Sequence, residues 1–290
     1  MGFEGEHGEA AGVLYVVATP IGNLEDMTFR AVRILKEVDA IAAEDTRHTG
    51  QLLKHFGIQT PQISCHQHNE SRRIPELIEK LQQGQAIALV SDAGTPGISD
   101  PGVPLIAACL DAGISVVPLP GACAAIAALV ASGQDLTRFC FEGFLPVKGK
   151  ERRDRLAELA QDPRTLVLYE APHRLVATLT DLADSLGEMR QVAIARELTK
   201  RYEQIWRGNL GEAIAQWSSP EDHGLTLKGE FVLTLNGAPP ASEEAPSDEI
   251  LLGELQALLD QGVSKSRASR QLARIHGLSK RQLYDLSLRL

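Results

Sequence analysis

The sequence predicts an α/β protein of two α/β domains followed by a small helical C-terminal domain. Three observations predict it. Apolar runs of strand length alternate with amphipathic stretches from Leu14 onward; polar loops built on Pro and Gly follow two of those runs; and a Pro/Ser/Glu-rich segment at 238–248 sets off a basic end. At 290 residues the chain has room for two ordinary domains, and its 43% hydrophobic content lies in the globular range.

The first domain is predicted over 13–133. Strands read at Leu14–Thr19, Ala40–Glu44, Gln62–His66, Ala86–Ser91 and Ser115–Leu119, with helices such as Phe29–Val38, Ile74–Gln83 and Ala122–Val130 between or after them. Strands this apolar are buried on both faces, so right-handed crossovers and a mostly parallel sheet follow. Ser132-Gly133-Gln134-Asp135 breaks the pattern.

The second domain, 138–237, opens with a strand at Phe139–Phe144 and a basic loop at Lys148–Arg155. Further strands read at Thr165–Tyr169, Gln191–Glu197, Glu203–Arg207 and Glu230–Leu235. The short gap between 197 and 203 leaves no room for a long helix, so this sheet is mixed. The linker at 238–248 leads to a basic helical domain over 249–290, with helices at Glu249–Asp260, Ser264–Ile275 and Ser279–Leu288. The last two are joined by His276-Gly277-Leu278, as in a helix-turn-helix pair.

Composition narrows the function. No apolar run reaches bilayer length, and the acidic, Gly-rich start MGFEGEHGEA lacks the pattern of an export signal. Cys65, Cys109, Cys123 and Cys140 are widely spaced and read as thiols in a reducing cytoplasm. The net charge of −9 conceals a split: residues 263–290 hold seven Lys/Arg against Asp285, which is +6, leaving −15 elsewhere.

There is no Gly-x-x-x-x-Gly-Lys-Ser/Thr loop and no Gly-x-Gly-x-x-Gly after the first strand. His66 and His68 lack the further ligands of a transition-metal site and read as ordinary surface or core histidines. The Asp92 loop lacks the second acid of an aspartate-nucleophile phosphatase. The positive signals are loops at strand ends: Thr19-Pro20-Ile21-Gly22-Asn23, the segment SDAGTPGISDPG over 91–102, and Pro118–Ala125 entering an Ala-rich helix. Open α/β sheets bind ligands at the carboxyl ends of their strands, and small residues let a ligand lie on the backbone. Acid and Arg also sit together at Glu44–Arg47, Glu170–Arg174 and Arg196–Lys200, with Lys228-Gly229-Glu230 at a comparable place. The loops point to a small-molecule cleft without a metal.

The segments ATPIGNLEDMT, AEDTR, SDAGTPGISDPG, PLPGA, YEAPHR, ARELTKRYE and KGEFVL, in order across 14–235, resemble the ribosomal RNA small subunit methyltransferase I family. That family is a branch of the tetrapyrrole-methylase fold, the class III S-adenosylmethionine-dependent methyltransferases. The resemblance implies two domains of that type with S-adenosylmethionine in the cleft between them, and a homodimer. It also implies 2′-O-methylation of a cytidine ribose in the decoding region of 16S rRNA, within the small subunit. By motif it implies cofactor contacts from Pro20, Gly22, Asp92, Gly94, Thr95, Cys123, Ala124, Tyr169, Ala195 and Gly229. The tetrapyrrole enzymes carry Gly-Asp-Pro where this chain has Ser91-Asp92-Ala93.

A ribose hydroxyl is a poor nucleophile, so a base or a nearby charge should help it. Asp45, Glu197 and Lys200 are the candidates. RNA contact is expected from Arg47, Lys148, Lys150, Arg152, Arg153 and Arg174, and from Lys265, Arg267, Arg270, Arg274, Lys280 and Arg281 in the tail. Two alternatives stand beside this reading: a precorrin-type tetrapyrrole methylase, which needs no basic tail, and a helix-turn-helix regulator with a metabolite-sensing body.

Overall fold

The computed structural model describes residues 12–219, 227–239 and 246–290. The N-terminal segment read for an export signal lies outside these residues, as do 240–245 of the expected linker. The chain divides into two compact units, one ending at Ala124 and one running from Ala125 to Leu290.

The first unit contains β1 (Val13–Val17), α1 (Phe29–Glu37), β2 (Ala40–Ala43), α2 (Thr46–His55), β3 (Gln62–Ser64), α3 (Glu70–Gln82), β4 (Ala86–Val90), α4 (Val103–Asp111) and β5 (Ser115–Leu119). Its sheet has the order β3-β2-β4-β1-β5 with every pair parallel, as the alternation predicts. Both faces are apolar. Ile41, Ala43, Ala88 and Val90 pack with Ala31, Ile34, Leu35 and Leu53 of α1 and α2. Leu14, Ala42, Ile87 and Leu89 pack with Leu77, Leu81, Leu105 and Cys109 of α3 and α4. The strand order requires this division. The moves β1→β2→β3 run one way along the sheet and β3→β4→β5 the other, so right-handed crossovers put their helices on opposite faces. The winding therefore reverses between neighbouring β1 and β4, where such sheets bind ligands.

The second unit takes up the chain within α5 (Ala124–Ser132), followed by β6 (Phe139–Phe144), α6 (Gly149–Gln161), β7 (Thr165–Glu170), α7 (Leu175–Leu186), β8 (Gln191–Arg196), β9 (Gln204–Asn209), α8 (Leu210–Ser218) and β10 (Phe231–Leu235). Its sheet, β6-β7-β10-β8-β9, is mixed as expected: β6 and β7 are parallel and the other pairs antiparallel. One face packs on α6, α7 and α8 around Leu166, Leu168, Ile194, Leu233 and Trp217.

The expected basic loop at 148–155 is corrected: from Gly149 it is the start of α6. Arg152, Leu156 and Leu159 form the buried stripe of that helix, at helical spacing. The Arg152 guanidinium donates to Asp181 (2.8 Å), to the Pro146 carbonyl (2.9 Å) and to Thr178 Oγ1 (3.0 Å). Thr178 donates in turn to buried Glu170 (2.6 Å). Arg152 is thus an internal tie, enclosed within the unit and removed from the set open to RNA phosphates.

At the C-terminal end, α9 (Asp248–Asp260), α10 (Lys265–His276) and α11 (Lys280–Ser287) enclose a small core of Leu251, Leu255, Ala268, Leu272, Leu283 and Leu286. Gly277, left-handed at φ +65°, ends α10 and turns the chain into α11, as the sequence predicts. The helices dock on α7 and the turn after it through Lys280–Asp184 (3.4 Å) and Arg274–Glu188 (2.6 Å). With so few buried residues, Leu283→Ala is expected to cost this core about 2–5 kcal/mol. Amide hydrogen exchange should then speed up over 246–290 and stay unchanged in β7, β8 and β10.

Candidate active site

In the first unit three strand-end loops join. The loop after β1 and the loop after β4 form a two-way backbone bridge: Thr19 N–H to Gly94 O (2.8 Å) and Gly94 N–H to Thr19 O (3.0 Å). Thr19 Oγ1 donates to the Ser91 carbonyl (3.2 Å), and Thr95 Oγ1 donates to the Ala122 carbonyl (3.0 Å), which ties in the loop after β5. Pro20, Gly22, Asp92, Gly94, Thr95 and the turn to Cys123 and Ala124 are therefore brought together. Gly94 has φ +78°, and a Cβ there would stand 3.3 Å from Ile21 Cγ2. A Cβ on Gly121 would stand 2.7 Å from Ala18 Cβ. Only backbone fits at these points.

Carboxylates gather beside this cradle. Asp92 Oδ1 accepts the Asp45 N–H (3.1 Å), and Glu44 Oε2 accepts the Asp92 N–H (3.2 Å). Asp45 caps α2 and grips Arg47 at 2.6 Å, and that hydrogen bond holds its carboxyl well below the usual carboxylate range. Asp45 is a poor proton acceptor in this state. Asp100 is the group that the sequence reading missed. Burial pushes it up to about 6 against a bond to Ser91, and the charges of Glu44 and Asp92 push the same way. No local spacing signals this, because the charges come from the ends of β2 and β4.

In the second unit Glu197, Lys200, Gly229 and Glu230 form one cluster. Lys200 Nζ donates to Glu197 (2.9 Å) and Glu230 (2.9 Å), and the Glu230 N–H donates to Glu197 Oε1 (3.1 Å). Burial opposes both charges, yet Lys200 and the Glu230 N–H hold the Glu197 carboxyl below its usual value. Likewise Glu197 and Glu230 hold the Lys200 ammonium above its usual value. A Cβ on Gly229 would overlap the Glu197 carboxyl at 2.4 Å. Tyr169 lies elsewhere in the unit: its hydroxyl accepts the Ala125 N–H at the start of α5 (3.1 Å). Register places Tyr169, Val232 and Ala195 in one row across β7, β10 and β8, on the face opposite the helices. Ala195 is buried there.

Of the cations expected to meet RNA, Arg47 is open but paired to Asp45, and Arg174 is largely enclosed, bonded to Glu170 and the Leu145 carbonyl. Arg274 and Lys280 serve the docking of the tail. Lys148, Lys150, Arg153, Arg267, Arg270 and Arg281 are exposed, and Lys265 is half-buried. Among the described residues no group of three or more His, Cys, Asp or Glu is placed to hold a metal ion.

The doubly wound parallel sheet with a backbone-lined cradle at its reversal, followed by a mixed sheet, defines the class. A family model described as Tetrapyrrole (Corrin/Porphyrin) Methylases matches residues 13–214. The uroporphyrin-III C-methyltransferase of Thermus thermophilus, solved with S-adenyl homocysteine, is similar in fold, with TM-score 0.52 and 18% identity over 78% of this chain and 97% of that one. A relative from Synechocystis sp. named Ribosomal RNA small subunit methyltransferase I is 59% identical over 96% of this chain and 98% of its own length. One of the same name from Pasteurella multocida is 51% identical over 96% and 97%. The chain belongs to the ribosomal RNA small subunit methyltransferase I family of tetrapyrrole methylases.

The Asp100 environment has a consequence for stability. The fold holds this proton to about pH 6, well above the usual carboxylate range. Its stabilising effect is therefore complete below pH 3.8 and lost as pH rises through 6. Asp100→Asn, neutral throughout, is expected to match the wild-type urea midpoint at about pH 3 and to exceed it above about pH 7. A pH-independent difference would place the cause outside Asp100 ionisation.

Proposed function

We propose that the chain methylates the 2′-hydroxyl of a cytidine ribose in the decoding region of 16S rRNA, within the small ribosomal subunit, with S-adenosylmethionine as its cofactor. The observation that carries this reading is the bridged pair of loops at Thr19 and Gly94. The residues there fit such a cofactor: glycines where a Cβ would crowd the cradle, backbone groups for ribose and amino-acid polar atoms, and carboxylates beside a ligand whose sulfur is cationic. Pro20, Gly22, Asp92, Gly94, Thr95, Cys123 and Ala124 would hold it from the first unit. Tyr169, Ala195 and Gly229 are the proposed contacts of the second. When bound, the cofactor supplies a methyl group on a sulfonium sulfur, already activated for displacement.

The chain's own residues have two tasks, alignment of the ribose oxygen and care of its proton. Lys200, kept protonated between two carboxylates, is suited to stabilise negative charge growing on that oxygen. Glu197 orients Lys200. Asp45, gripped by Arg47, is better suited to positioning than to taking a proton. The exposed cations support RNA as the substrate over a small porphyrinoid. A homodimer in the cytoplasm completes the reading, and the exposed side chains of Ile126, Val130, Leu136 and Phe139 support an apolar self-contact. Among the described residues no helix is long and apolar enough to cross a membrane. In this reading the displacement needs no metal ion, because the sulfonium is already activated.

Two measurements test this. Calorimetry on the purified chain without added metal is expected to detect S-adenosylmethionine binding and to lose it in Gly94→Trp, whose indole fills the cradle. Wild-type affinity in a folded Gly94→Trp would move the cofactor elsewhere. Methyl transfer to small subunits lacking this modification should yield 2′-O-methylcytidine on nuclease digestion. In that assay Lys200→Ala should lower kcat by about 10²–10³ with cofactor affinity unchanged. A methyl group recovered on a base, or a wild-type kcat in the variant, would refute the corresponding assignment.

A further inference from the structure

The two basic stretches that the sequence keeps far apart meet in the second unit. A groove of about 420 Å³ is lined by Arg153 of α6, Asp181 and Asp184 of α7, and Lys280, Arg281 and Tyr284 of α11. Its size is within the roughly 300–1,000 Å³ range of small-ligand clefts. The acids are already engaged: Asp181 accepts from Arg152 (2.8 Å), and Asp184 faces Lys280 (3.4 Å). Arg153 and Arg281 are exposed, and among the described residues neither side chain has an ion-pair or hydrogen-bond partner. Arg281 and Tyr284 are three apart on α11 and share a face, while Leu283 and Leu286 turn into the small core. Tyr284 is 39% exposed. Two unpaired guanidiniums and an exposed tyrosine therefore line one groove.

We propose that this groove binds single-stranded RNA, with one phosphate held by Arg153 and Arg281 and the adjoining base stacked on Tyr284. Guanidinium forks match phosphate oxygens, and every base offers a face to an aromatic ring, so the site tolerates sequence. An acidic peptide would satisfy the guanidiniums and leave the ring without a role. The inference rests on the RNA substrate proposed above and adds a docking point to it. It also assigns a task to α9–α11: they complete a groove that α6 and α7 only half form.

The test uses the full chain and a short labelled oligocytidylate, followed by fluorescence anisotropy at several salt concentrations. Arg153→Gln and Arg281→Gln should each weaken binding about tenfold and flatten the salt dependence by about 0.7 in log–log slope. Because both arginines hold one phosphate, the double variant should lose clearly less than the two singles combined. Tyr284→Ala should weaken binding about 5–100-fold with the salt slope unchanged, while Tyr284→Phe should bind as wild type. S-adenosylmethionine affinity should be equal in every variant, which confirms folding. Wild-type affinity in the arginine variants would overturn the groove, as would strict additivity or equally good competition by polyglutamate. None of these results depends on methyl transfer, so a failed methylation assay beside a confirmed groove would refute the proposed reaction alone.

Discussion

Two hydrogen bonds between Thr19 and Gly94 fix the relation of the loops that leave β1 and β4, and the candidate site of the first unit is built outward from them. The pairing is a fragment of antiparallel ladder beyond the carboxyl ends of a parallel sheet, and it needs Gly94 at φ +78°. The same loop takes positive φ at Gly97, Ser99 and Gly102, and a Cβ at Gly102 would stand 2.8 Å from Leu89. Such a path leaves backbone groups where side chains would otherwise stand. The Thr95 hydroxyl extends the clamp to the Ala122 carbonyl, so one run of hydrogen bonds spans the ends of three strands. Displacement of any one loop would disturb the other two.

The units treat charge differently. At the strand ends of the first, Glu44, Asp45, Asp92 and Asp100 gather with Arg47 on Asp45, and burial, joined by the charges of Glu44 and Asp92, lets Asp100 keep its proton to about pH 6. In the second, acids are matched to cations: buried Glu170 with Arg174, and half-buried Glu197 with Lys200. A paired, partly buried cation keeps its charge and its place, which suits a group that must meet charge developing in a transition state. The first unit's surplus of negative charge instead suits a ligand that brings positive charge with it.

The tail shows how little net charge says about a surface. Its cations differ in what they meet: Arg274 and Lys280 fasten the helices to Glu188 and Asp184, Arg289 pairs with Asp248, Lys265 is half-buried, and Arg267, Arg270 and Arg281 stand exposed. An acidic protein can thus present a basic face, because Coulomb attraction to phosphates acts over roughly a Debye length, about 8 Å in physiological salt, and not over the whole molecule.

By itself the sequence determined the elements and their broad assembly. Apolar runs such as Ala86–Val90 report burial on both faces, and Gly277 reports the turn between the last helices, because each depends on neighbours a few residues away. The loops of the candidate site were legible for the same reason, since Gly and Pro restrict the backbone locally. Misreading 148–155 as a loop came from its density of charge; the spacing of Arg152, Leu156 and Leu159 already carried the helix, with an arginine in place of the expected apolar residue. Only the tertiary structure decided what each group meets. It joined Thr19 to Gly94, brought Glu44 and Asp92 to bear on Asp100, enclosed Arg152, and set Arg153 and Arg281 along one groove. Those pairings follow from strand order and helix docking, which sum weak contacts over the whole chain and leave no trace in any local spacing.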